Sequence, residues 1–439
     1  MKISYNWINQ FLKTNIPHLK ISEMLTSIGL EVEGIEKFSS VRGGLKDVVV
    51  GEVISCENHP NADRLKVTQV NLGDEIAQIV CGAPNVAKNQ KVAVATVGST
   101  LYDQKGNEFK IKKTVIRGEE SNGMICAEDE LGIGDSHEGI MVLDEKIKSG
   151  TPCSKVFNIE EDYIFNIGLT PNRADAMSHM GVARDLKALL SFNKISFKWA
   201  CPEVTKFKFD KSNKSMPVDI QEPKLVDAYH GITITNVSIK KSPSWLQNRL
   251  KSINITPKNN IVDITNYILH ELGQPLHAFD ANRINEGIIV KKFKGHKKFQ
   301  TLDGIERKLD ENDLMICDHK KPLCIAGIIG GEQSAVGDKT KDIFLESACF
   351  NSISVRKSAK KFGLNTDASF RFERGVDPEI GIYAIKRAAI LIQELAGGTI
   401  GQIYSFQKEK KKKEIILKFD YIDKLIGQKI EKNEIIKIL

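Results

Sequence analysis

The apolar residues of this chain follow two spacings, and the change between them divides the sequence. In residues 48–142 they fall in short β-type runs, such as VVVGEVIS, EIAQIVCG and KVAVATVG, which are separated by turn clusters such as HPNAD and GAPN. About five strands in roughly a hundred residues are typical of a small barrel. In RLKVTQVNL the apolar positions shift from Leu65 and Val67 to Val70 and Leu72. We therefore predict a bulge or bend in this strand, as barrel closure requires.

Helical spacing precedes and follows this β region. Near the start, Ser22 is the predicted N-cap of a short helix in a small α/β unit, and Gly29 suits the left-handed residue that ends the helix. After the β region, TPNRADAMSHMGVARDLKALL keeps the three- and four-residue apolar spacing of a helix with one buried face. Asn172 or Asp175 is the predicted cap of that helix.

The rest of the chain mixes both spacings. A polar, lysine-rich stretch at residues 204–215 is typical of a boundary. Beyond it, β-type runs such as GITITNVSI and GIIVKKF alternate with helical runs such as PSWLQNRLKSI, up to about Gly398. The last segment starts a strand-and-helix pattern and ends in the apolar, uncapped residues 436–439, from which we expect a fragment of a longer chain.

The composition is that of an ordinary globular protein of several domains, with 439 residues of which 41% are hydrophobic and 27% charged. No apolar run approaches the ~20 residues that a membrane span needs, and MKISYNWINQ lacks the apolar stretch of a secretion signal. We therefore predict a cytoplasmic protein without a membrane partner. The net charge of +7 allows a polyanionic partner but does not require one.

The eight cysteines include no C-x-x-C pair, which argues against a zinc knuckle and against a disulfide framework. Cys317, His319 and Cys324 come nearest to metal-ligand spacing, and we predict no metal site there. The sequence has neither a G-x-S-x-G motif nor a cysteine in an activating motif. Any hydrolysis would therefore use a positioned water molecule.

Three short motifs leave alternatives open. FRFERG resembles the ATP-binding second motif of class II aminoacyl-tRNA synthetases, in which an arginine grips the phosphates. Alternatively, it forms structural ion pairs, Arg371 with Glu373 or Arg374 with Asp377. The glycines of IAGIIGGE lack phosphate-loop spacing and suit close backbone approach to a ligand or strand. His277 in GQPLHAFD is either a packing histidine or a functional group at a pocket wall.

Six longer stretches occur in a fixed order, namely MKISYNWI, HPNADRLKVTQVNLG, TPNRADAMSHMGVARD, VDITNYILHELGQPLHAFD, GIIGGE and NTDASFRFERGVDP. On these stretches, the chain resembles the β subunit of bacterial phenylalanyl-tRNA synthetases from its first residue to its last. The resemblance implies an α+β multidomain fold in four parts. They are a small discontinuous α/β module at 1–41 and 155–203, an inserted OB-fold tRNA-binding β-barrel at 42–154, a larger mixed α/β editing domain at 214–400, and the truncated start of a further α/β domain at 408–439.

The resemblance also implies partners and a division of labour. In this family, the α subunit attaches phenylalanine to its tRNA with ATP and Mg²⁺, and α and β subunits assemble as (αβ)2. The β subunit binds tRNA and hydrolyses tyrosine wrongly attached to the phenylalanine tRNA. We therefore expect this fragment to contact the α subunit and tRNA and to bind no cofactor itself. The predicted tRNA-binding face of the barrel consists of Lys66, Lys110, Lys112, Lys113 and Arg117.

The editing site implied by the resemblance needs an acceptor for the tyrosine hydroxyl. A pocket shaped for phenylalanine excludes that hydroxyl only about 100-fold, whereas a buried polar partner discriminates by about 10⁴ or more. Glu346 in IFLESACF matches this acceptor as an ionised carboxylate, and His277 matches the histidine that orients the terminal adenosine or the attacking water. The other matching positions are Thr265 and Asn266, catalytic residues near the reactive ester, and the substrate-binding residues Gly330, where a side chain would block the pocket, Thr366 and Ala368.

Two other functions remain open from the sequence. The fragment is a tRNA-binding and scaffolding module without catalysis if its editing pocket has decayed, although every matched pocket residue is present. It is an independent class II ligase only if this chain binds ATP alone. Assays of hydrolysis, of tRNA binding and of ATP binding separate the three functions.

Overall fold

The computed structural model describes residues 1–103, 106–293, 297–409 and 414–439. They form a mixed α/β protein with two compact units, one of Lys37–Asp162 and one of Met1–Glu36 together with Tyr163–Leu439. Residues 410–413, which belong to the segment predicted at 408–439, lie outside the described residues. The boundaries of the four predicted parts stay a prediction.

The helices are spread over the whole described chain. They are α1 Tyr5–Phe11, α2 His18–Ser27, α3 Cys153–Val156, α4 His179–Phe192, α5 Ser244–Ser252, α6 Asn260–Leu272, α7 Ser352–Phe362, α8 Asp367–Phe372, α9 Ile380–Ala396, α10 Phe419–Ile426 and α11 Lys432–Ile438. Short 3-10 turns lie at Arg42–Leu45, Ala174–Ala176, Ala281–Arg283 and Glu332–Ser334. Within the described ranges, no helix combines the length and the apolar character that a membrane crossing requires.

The strands are mostly short. They are β1 Lys2–Ser4, β2 Leu12–Lys13, β3 Glu31–Ser39, β4 Val48–His59, β5 Ala62–Asn71, β6 Ile76–Cys81, β7 Lys91–Thr96, β8 Thr100–Tyr102, β9 Glu108–Lys110, β10 Thr114–Ile116, β11 Glu119–Ser121, β12 Gly123–Ile125, β13 Val142–Leu143, β14 Glu161–Gly168, β15 Lys198–Trp199, β16 Val218–Ile220, β17 Val226–Thr235, β18 Leu276–Asp280, β19 Ile288–Lys292, β20 Lys297–Gln300, β21 Glu306–Leu309, β22 Leu314–Cys317, β23 Pro322–Ile325, β24 Ile329–Gly330, β25 Ile343–Phe350, β26 Thr399–Ile400 and β27 Tyr404–Gln407.

The unit Lys37–Asp162 is built on one antiparallel sheet with the strand order β12-β7-β4-β5-β6, in which β13 also pairs with β7. Its two edges meet where the backbone N–H of Asn122 donates to the carbonyl oxygen of Gln78 at 2.8 Å. The sheet is therefore a nearly closed barrel, as the short β-type runs predicted. Buried apolar side chains fill its interior, among them Val53, Val70, Ile79 and Val94.

An irregularity does occur at the start of RLKVTQVNL, as predicted. Asn58 and His59 are adjacent in β4 but pair with Lys66 and Ala62, so residues 63–65 of β5 have no register partner in β4. A second irregularity lies in β4 itself, where Ile54 is the extra residue, whereas β5 pairs with β6 without a shift of register. Leu65 and Val67 are half-buried, whereas Val70 belongs to the core. Since residues at odd and even positions of a strand lie on opposite faces, Val67 and Val70 in the regular part of β5 lie on opposite faces of the sheet.

The start of helix α4 differs from the prediction. The Ser178 hydroxyl accepts a hydrogen bond from the backbone N–H of Gly181 at 2.9 Å, so Ser178 is the N-cap. The predicted caps Asn172 and Asp175 are wrong, because the chain first makes a 3-10 turn at Ala174–Ala176. A three-residue turn of this kind leaves no trace in the apolar spacing. The spacing therefore places the start of the helix several residues before His179, where it begins.

The N-terminal strands and helices bury their side chains in one cluster. The strands form a sheet in the order β1-β14-β3, and α1, α2 and α4 contribute to the same hydrophobic core. Ser22 is wrong as the cap of α2, because that helix begins after Pro17, whose carbonyl accepts from the N–H groups of Lys20 and Ile21. Gly29 has a φ of +85°, which confirms the predicted left-handed residue after the helix.

The region from β16 to β27 has three layers. A sheet in the order β18-β25-β17-β26, with β27 also paired to β17, lies between helices and a second sheet in the order β16-β19-β22-β23-β24. One face of the first sheet buries Leu345 and Ala278 in the cluster that contains α6 and α9. The other face buries Tyr229 and Phe344 in the cluster between the two sheets. Because side chains alternate along a strand, Glu346 faces the second sheet with Phe344.

Candidate functional site

His277 and Glu346 are directly opposite each other on the neighbouring antiparallel strands β18 and β25. Cross-strand partners point to the same face of a sheet, with their Cβ atoms about 5 Å apart. Both side chains therefore enter the space between the two sheets. The structure thus brings together the two residues on which the predicted editing site depends most.

A cavity of about 200 Å³ lies beside this pair. His277, Glu346, Gly330 and Ala368 border it, and most of the remaining lining is apolar, including Leu276, Leu302, Ile329 and Phe372. Because an apolar cavity of about 150 Å³ holds benzene, this space is large enough for one aromatic ring. A few polar groups in an apolar wall are the usual means by which a pocket orients its ligand.

The Glu346 carboxyl group is buried, with 5% of the residue exposed. Its Oε2 accepts a hydrogen bond from the Tyr229 hydroxyl at 2.7 Å. Burial raises the pKa of Glu346 to about 8, and the hydrogen bond from Tyr229 opposes part of that rise. The protonated form therefore predominates near neutral pH, which differs from the ionised carboxylate expected from the sequence. Either form can hydrogen-bond a phenol, because a phenol both donates and accepts.

The His277 ring lies edge-on to Phe279, with 4.4 Å between the ring centroids and 84° between the planes. Burial lowers the pKa of His277 to about 4, so the imidazole is neutral at physiological pH. Among the described residues, none hydrogen-bonds its buried Nε2. Leaving a buried polar atom unpaired costs about 1 to 3 kcal/mol, so this nitrogen is well placed to bind a ligand or a water molecule.

Gly330 is the neighbour of the His277 ring on the second sheet. A Cβ atom at position 330 would lie 2.6 Å from Cε1 and 2.8 Å from Nε2 of His277. Carbon atoms in contact prefer separations of about 3.5 to 4.0 Å. A side chain at position 330 would therefore displace the imidazole or fill the cavity, and the role of this glycine in substrate binding stays a prediction.

Thr366 and Ala368 lie at the start of helix α8. The Thr366 hydroxyl accepts from the backbone N–H of Ser369 at 3.1 Å and donates to the carbonyl oxygen of Ile328 at 2.9 Å. It thereby caps the helix and ties it to a segment that borders the cavity. Ala368 borders the cavity directly. The structure thus places Ala368 in the wall and Thr366 behind it.

Thr265 and Asn266 occupy helix α6, in the helix layer. The Thr265 hydroxyl donates to the carbonyl oxygen of Val262 in its own helix at 2.7 Å, and 7% of the residue is exposed. The lining of the cavity comes from strands, loops and α8, and the structure does not bring these two residues into it. Their catalytic role stays a prediction.

Most of the predicted basic residues of the barrel are exposed. Lys110 ends β9, Lys112 and Lys113 follow it, and all three are exposed, with Lys113 paired to Glu120 at 2.9 Å. Arg117 is also exposed, at the tip of the hairpin formed by β10 and β11. These four residues present their charges to solvent, as contact with a phosphate backbone requires.

The Lys66 side chain is engaged within the barrel, whereas Arg117 lies in an exposed tight turn. Lys66 is half-buried, and its Nζ donates to the carbonyl oxygen of Val86 at 2.8 Å. Arg117 and Gly118 form a two-residue loop with φ values of +48° and +99°. Two successive residues with positive φ produce the hairpin turn that matches the twist of the strands. Because the ammonium group of Lys66 is already engaged by Val86, Lys66 is the predicted tRNA contact that the geometry supports least.

Comparison with known proteins gives a consistent result. A family model for the B3/4 domain matches residues 225–397, and one for a tRNA binding domain matches residues 48–152. The phenylalanine–tRNA ligase β subunit of Bacteroides fragilis is 52% identical over 403 residues, which are 91% of this chain and 49% of that protein. The β subunit of Porphyromonas gingivalis is 48% identical over 443 residues, with 100% of this chain and 54% of that protein covered. The chain belongs to the phenylalanine–tRNA ligase β subunit family.

The chain spans about half the length of the curated β subunits that it matches. A solved structure, an N-terminal fragment of the phenylalanyl-tRNA synthetase β subunit from Pyrococcus horikoshii, is 18% identical and covers 62% of this chain and 75% of that chain, with a TM-score of 0.32. This TM-score is too low to establish a shared fold. In this chain, His277, Gly330 and Glu346 fall within the B3/4 match.

The FRFERG motif of this chain makes structural contacts. Arg371 is 2% exposed, pairs with Asp367 at 3.2 Å and donates to the carbonyl oxygen of Met177 at 3.2 Å. The predicted pairing of Arg371 with Glu373 is wrong, because residues two apart on a helix point in different directions and residues four apart share a face. Arg374 pairs with Glu373, not with Asp377. Arg371 is thus engaged within the protein, and the motif gives no support for an ATP site.

Among the described residues of this chain, no three His, Cys, Asp or Glu side chains converge as metal ligands. Cys317 and Cys324 are buried, whereas His319 is exposed. The three residues with the nearest metal-ligand spacing therefore do not share one environment.

Tyr229 is the site residue that sequence reasoning missed. It is 0% exposed and holds the Glu346 carboxyl group from the adjacent strand. A tyrosine inside an apolar strand such as VDAYHGITIT carries a hydroxyl that needs a partner when it is buried. That requirement is the signal that could have indicated it, although no sequence pattern names the partner.

Proposed function

We propose that this chain, as the β subunit of a phenylalanine–tRNA ligase, binds tRNA and hydrolyses tyrosine that has been wrongly esterified to the phenylalanine tRNA. The complete enzyme would contain this chain and an α subunit as (αβ)2 and act in the cytoplasm. ATP and Mg²⁺ would serve the attachment of phenylalanine at the α subunit. The B3/4 region would hold the hydrolytic site, and the barrel would contribute tRNA contacts.

The observation that carries the proposal is the burial of the Glu346 carboxyl group opposite His277 at the wall of an apolar cavity. The hydroxyl of a bound tyrosine can hydrogen-bond the carboxyl oxygen that Tyr229 does not hold, whereas a phenylalanine ring leaves that oxygen without a partner. An unpaired buried polar group carries its full desolvation cost, which favours the tyrosine ester. The same cavity thereby selects the ester that should be removed.

The chemistry supported by these side chains is attack by water. A water oxygen adds to the ester carbonyl carbon, the bond between that carbon and the ribose oxygen breaks, and tyrosine and free tRNA are released with one proton passed to the ribose oxygen. The Nε2 of the neutral His277, which has no hydrogen-bond partner among the described residues, can orient the water molecule or the terminal adenosine. With a pKa of about 4, the ring is a weak base, so orientation is its main contribution.

The test measures hydrolysis of tyrosyl-tRNA by the complete enzyme. The expected result is hydrolysis by the unaltered enzyme and a loss of at least about tenfold in kcat/KM for Glu346→Ala and for His277→Ala. Matched controls are Glu311→Ala and His319→Ala, which change exposed residues of the same region. Both controls should hydrolyse tyrosyl-tRNA at the unaltered rate.

A second measurement, of tRNA binding, separates hydrolysis from scaffolding. If the unaltered enzyme binds the tRNA but leaves tyrosyl-tRNA intact, the chain is a binding and scaffolding module without a working pocket, and the proposal fails. If Glu346→Ala hydrolyses tyrosyl-tRNA as fast as Glu311→Ala, the carboxyl group has no part in the reaction.

A further inference from the structure

The Tyr229 hydroxyl supplies the hydrogen bond that holds the Glu346 carboxyl group. The tyrosine is 0% exposed, and its hydroxyl donates to Oε2 of Glu346 at 2.7 Å. Among the described residues, Tyr229 is the one that hydrogen-bonds the Glu346 side chain. Tyr229 therefore fixes one of the two carboxyl oxygens.

The strand register makes Tyr229 the residue of β17 that can reach Glu346. Gly231 pairs directly with Glu346, and Tyr229 pairs with Ala348 two residues away. Residues two apart on a strand share a face, and such diagonal neighbours are within reach of aromatic side chains. Gly231 has no side chain, and a Cβ there would lie 2.3 Å from Cζ of Phe344. A side chain directly opposite Glu346 is therefore excluded on this strand.

Glu346 is thus flanked on both neighbouring strands. His277 lies opposite it on β18, and Tyr229 lies diagonally from it on β17. Since Glu346 also borders the cavity, the oxygen that Tyr229 does not hold is the one left for a ligand. Whether ionised or protonated, a carboxyl group with one donor keeps further hydrogen-bonding capacity for a ligand.

We propose that Tyr229 is a positioning residue for tyrosine discrimination, whose hydroxyl holds Oε2 of Glu346 so that Oε1 meets the hydroxyl of a bound tyrosine. This inference rests on the proposed editing function. Tyr229 acts through Glu346 and does not touch the substrate. Without the hydroxyl, the carboxyl group is free to rotate, and its charged form loses the donor that stabilises it.

The test compares hydrolysis of tyrosyl-tRNA and phenylalanyl-tRNA by the complete enzyme, with kcat and KM determined for both esters across a range of pH. Tyr229→Phe removes one oxygen atom from a buried ring. We expect the ratio of the two kcat/KM values, tyrosyl over phenylalanyl, to fall by about tenfold. An ionised carboxylate accepts a stronger hydrogen bond from a phenol than the protonated form does, so the ratio should rise with pH. We expect the pH at which this ratio is half-maximal to move upward, because loss of the Tyr229 donor destabilises the carboxylate form. Hydrolysis of phenylalanyl-tRNA should not change.

The matched control is Tyr383→Phe. The Tyr383 hydroxyl donates to the carbonyl oxygen of Pro202, away from the cavity, so its loss removes a hydrogen bond of the same kind. This variant should keep the ratio and its pH midpoint. A merely structural role of Tyr229 would lower the hydrolysis of both esters alike and leave the ratio and the midpoint in place.

A second variant keeps the test decisive if Tyr229→Phe does not fold. Site-specific incorporation of 3-fluorotyrosine at position 229 retains the hydroxyl and makes it a stronger donor. The pH midpoint of the ratio should then move downward, opposite to the shift expected for phenylalanine. An unchanged ratio and midpoint in a folded variant overturn the role of Tyr229.

The outcomes also distinguish this inference from the proposed function. If the unaltered enzyme does not hydrolyse tyrosyl-tRNA, both are overturned. If it does, and Glu346→Ala loses the preference while Tyr229→Phe keeps the ratio and the midpoint, the positioning role alone is overturned and the editing function stands.

Discussion

Gly330 and His277 are in such close contact that a Cβ at position 330 would lie 2.6 Å from the imidazole ring. The backbone of β24 thereby forms one side of the space that holds the ring. We expect Gly330→Ala to displace His277 and to lower the kcat/KM for tyrosyl-tRNA hydrolysis by about tenfold or more, because small displacements of an orienting group are costly.

The matched control for this change is Gly337→Ala. A Cβ at position 337 would have no heavy atom of the described residues within 4 Å, and the residue has no positive φ, so the substitution fits the backbone. Equal deacylation rates for Gly330→Ala and Gly337→Ala would show that the contact has no bearing on the reaction.

The thermal stability of Glu346→Gln should depend on pH in a defined direction. Burial raises the pKa of Glu346 in the folded chain to about 8 from an ordinary value of 4.5. The folded state therefore holds the proton more tightly than the unfolded state, and the chain loses stability as the pH rises from 4.5 through 8. Glutamine cannot ionise, so the Glu346→Gln variant does not lose stability in this way as the pH rises. Relative to the unaltered chain, the melting temperature of the variant should rise between pH 6 and pH 9 by about 2 to 4 °C.

Glu311→Gln provides the comparison, because Glu311 is exposed. Its melting temperature should follow that of the unaltered chain at both pH values. The prediction fails if Glu346→Gln shows no gain at pH 9 over pH 6, since the carboxyl group would then titrate in the folded state as it does in the unfolded state.

His277 should contribute to acid unfolding with the opposite dependence on pH. Burial lowers the pKa of this imidazole to about 4 from 6.5, so the folded state releases the proton more readily than the unfolded state. Stability from this group is present above pH 6.5 and is lost as the pH falls through 4. We expect His277→Gln to lose less stability between pH 7 and pH 4 than the unaltered chain does. Denaturant unfolding curves at the two pH values would measure this difference, with the exposed His319→Gln as control.

The basic residues of the barrel should contribute unequally to tRNA binding. Lys112→Ala and Arg117→Ala remove exposed charges, and each should weaken binding and reduce the slope of log affinity against log salt by about 1. Lys66→Ala should have a smaller effect, because its ammonium group donates to the carbonyl oxygen of Val86. Affinities for the tRNA at several salt concentrations would test this order, and a larger effect of Lys66→Ala than of Arg117→Ala would contradict it.

Local patterns predicted much of the fold. The alternating runs of residues 48–142 indicated a small barrel, and the positive φ of Gly29 was expected from its place after a helical run. These features depend on neighbours in sequence. The cap at Ser178 and the extra residue Ile54 were missed, because the start of a helix and the position of a bulge depend on how a segment packs against others.

The candidate site likewise has features that the sequence predicted and features that only the tertiary structure decided. Long motifs predicted His277, Gly330 and Glu346 as candidate site residues, since the identity and order of residues suffice to recognise a family. The sequence could not show that His277 and Glu346 are register partners, that Tyr229 holds the carboxyl group, or that Arg371 is turned toward Asp367. Register, burial and the resulting shifts of pKa arise from contacts between segments far apart in the chain, and these contacts exist only when the sheets have packed together.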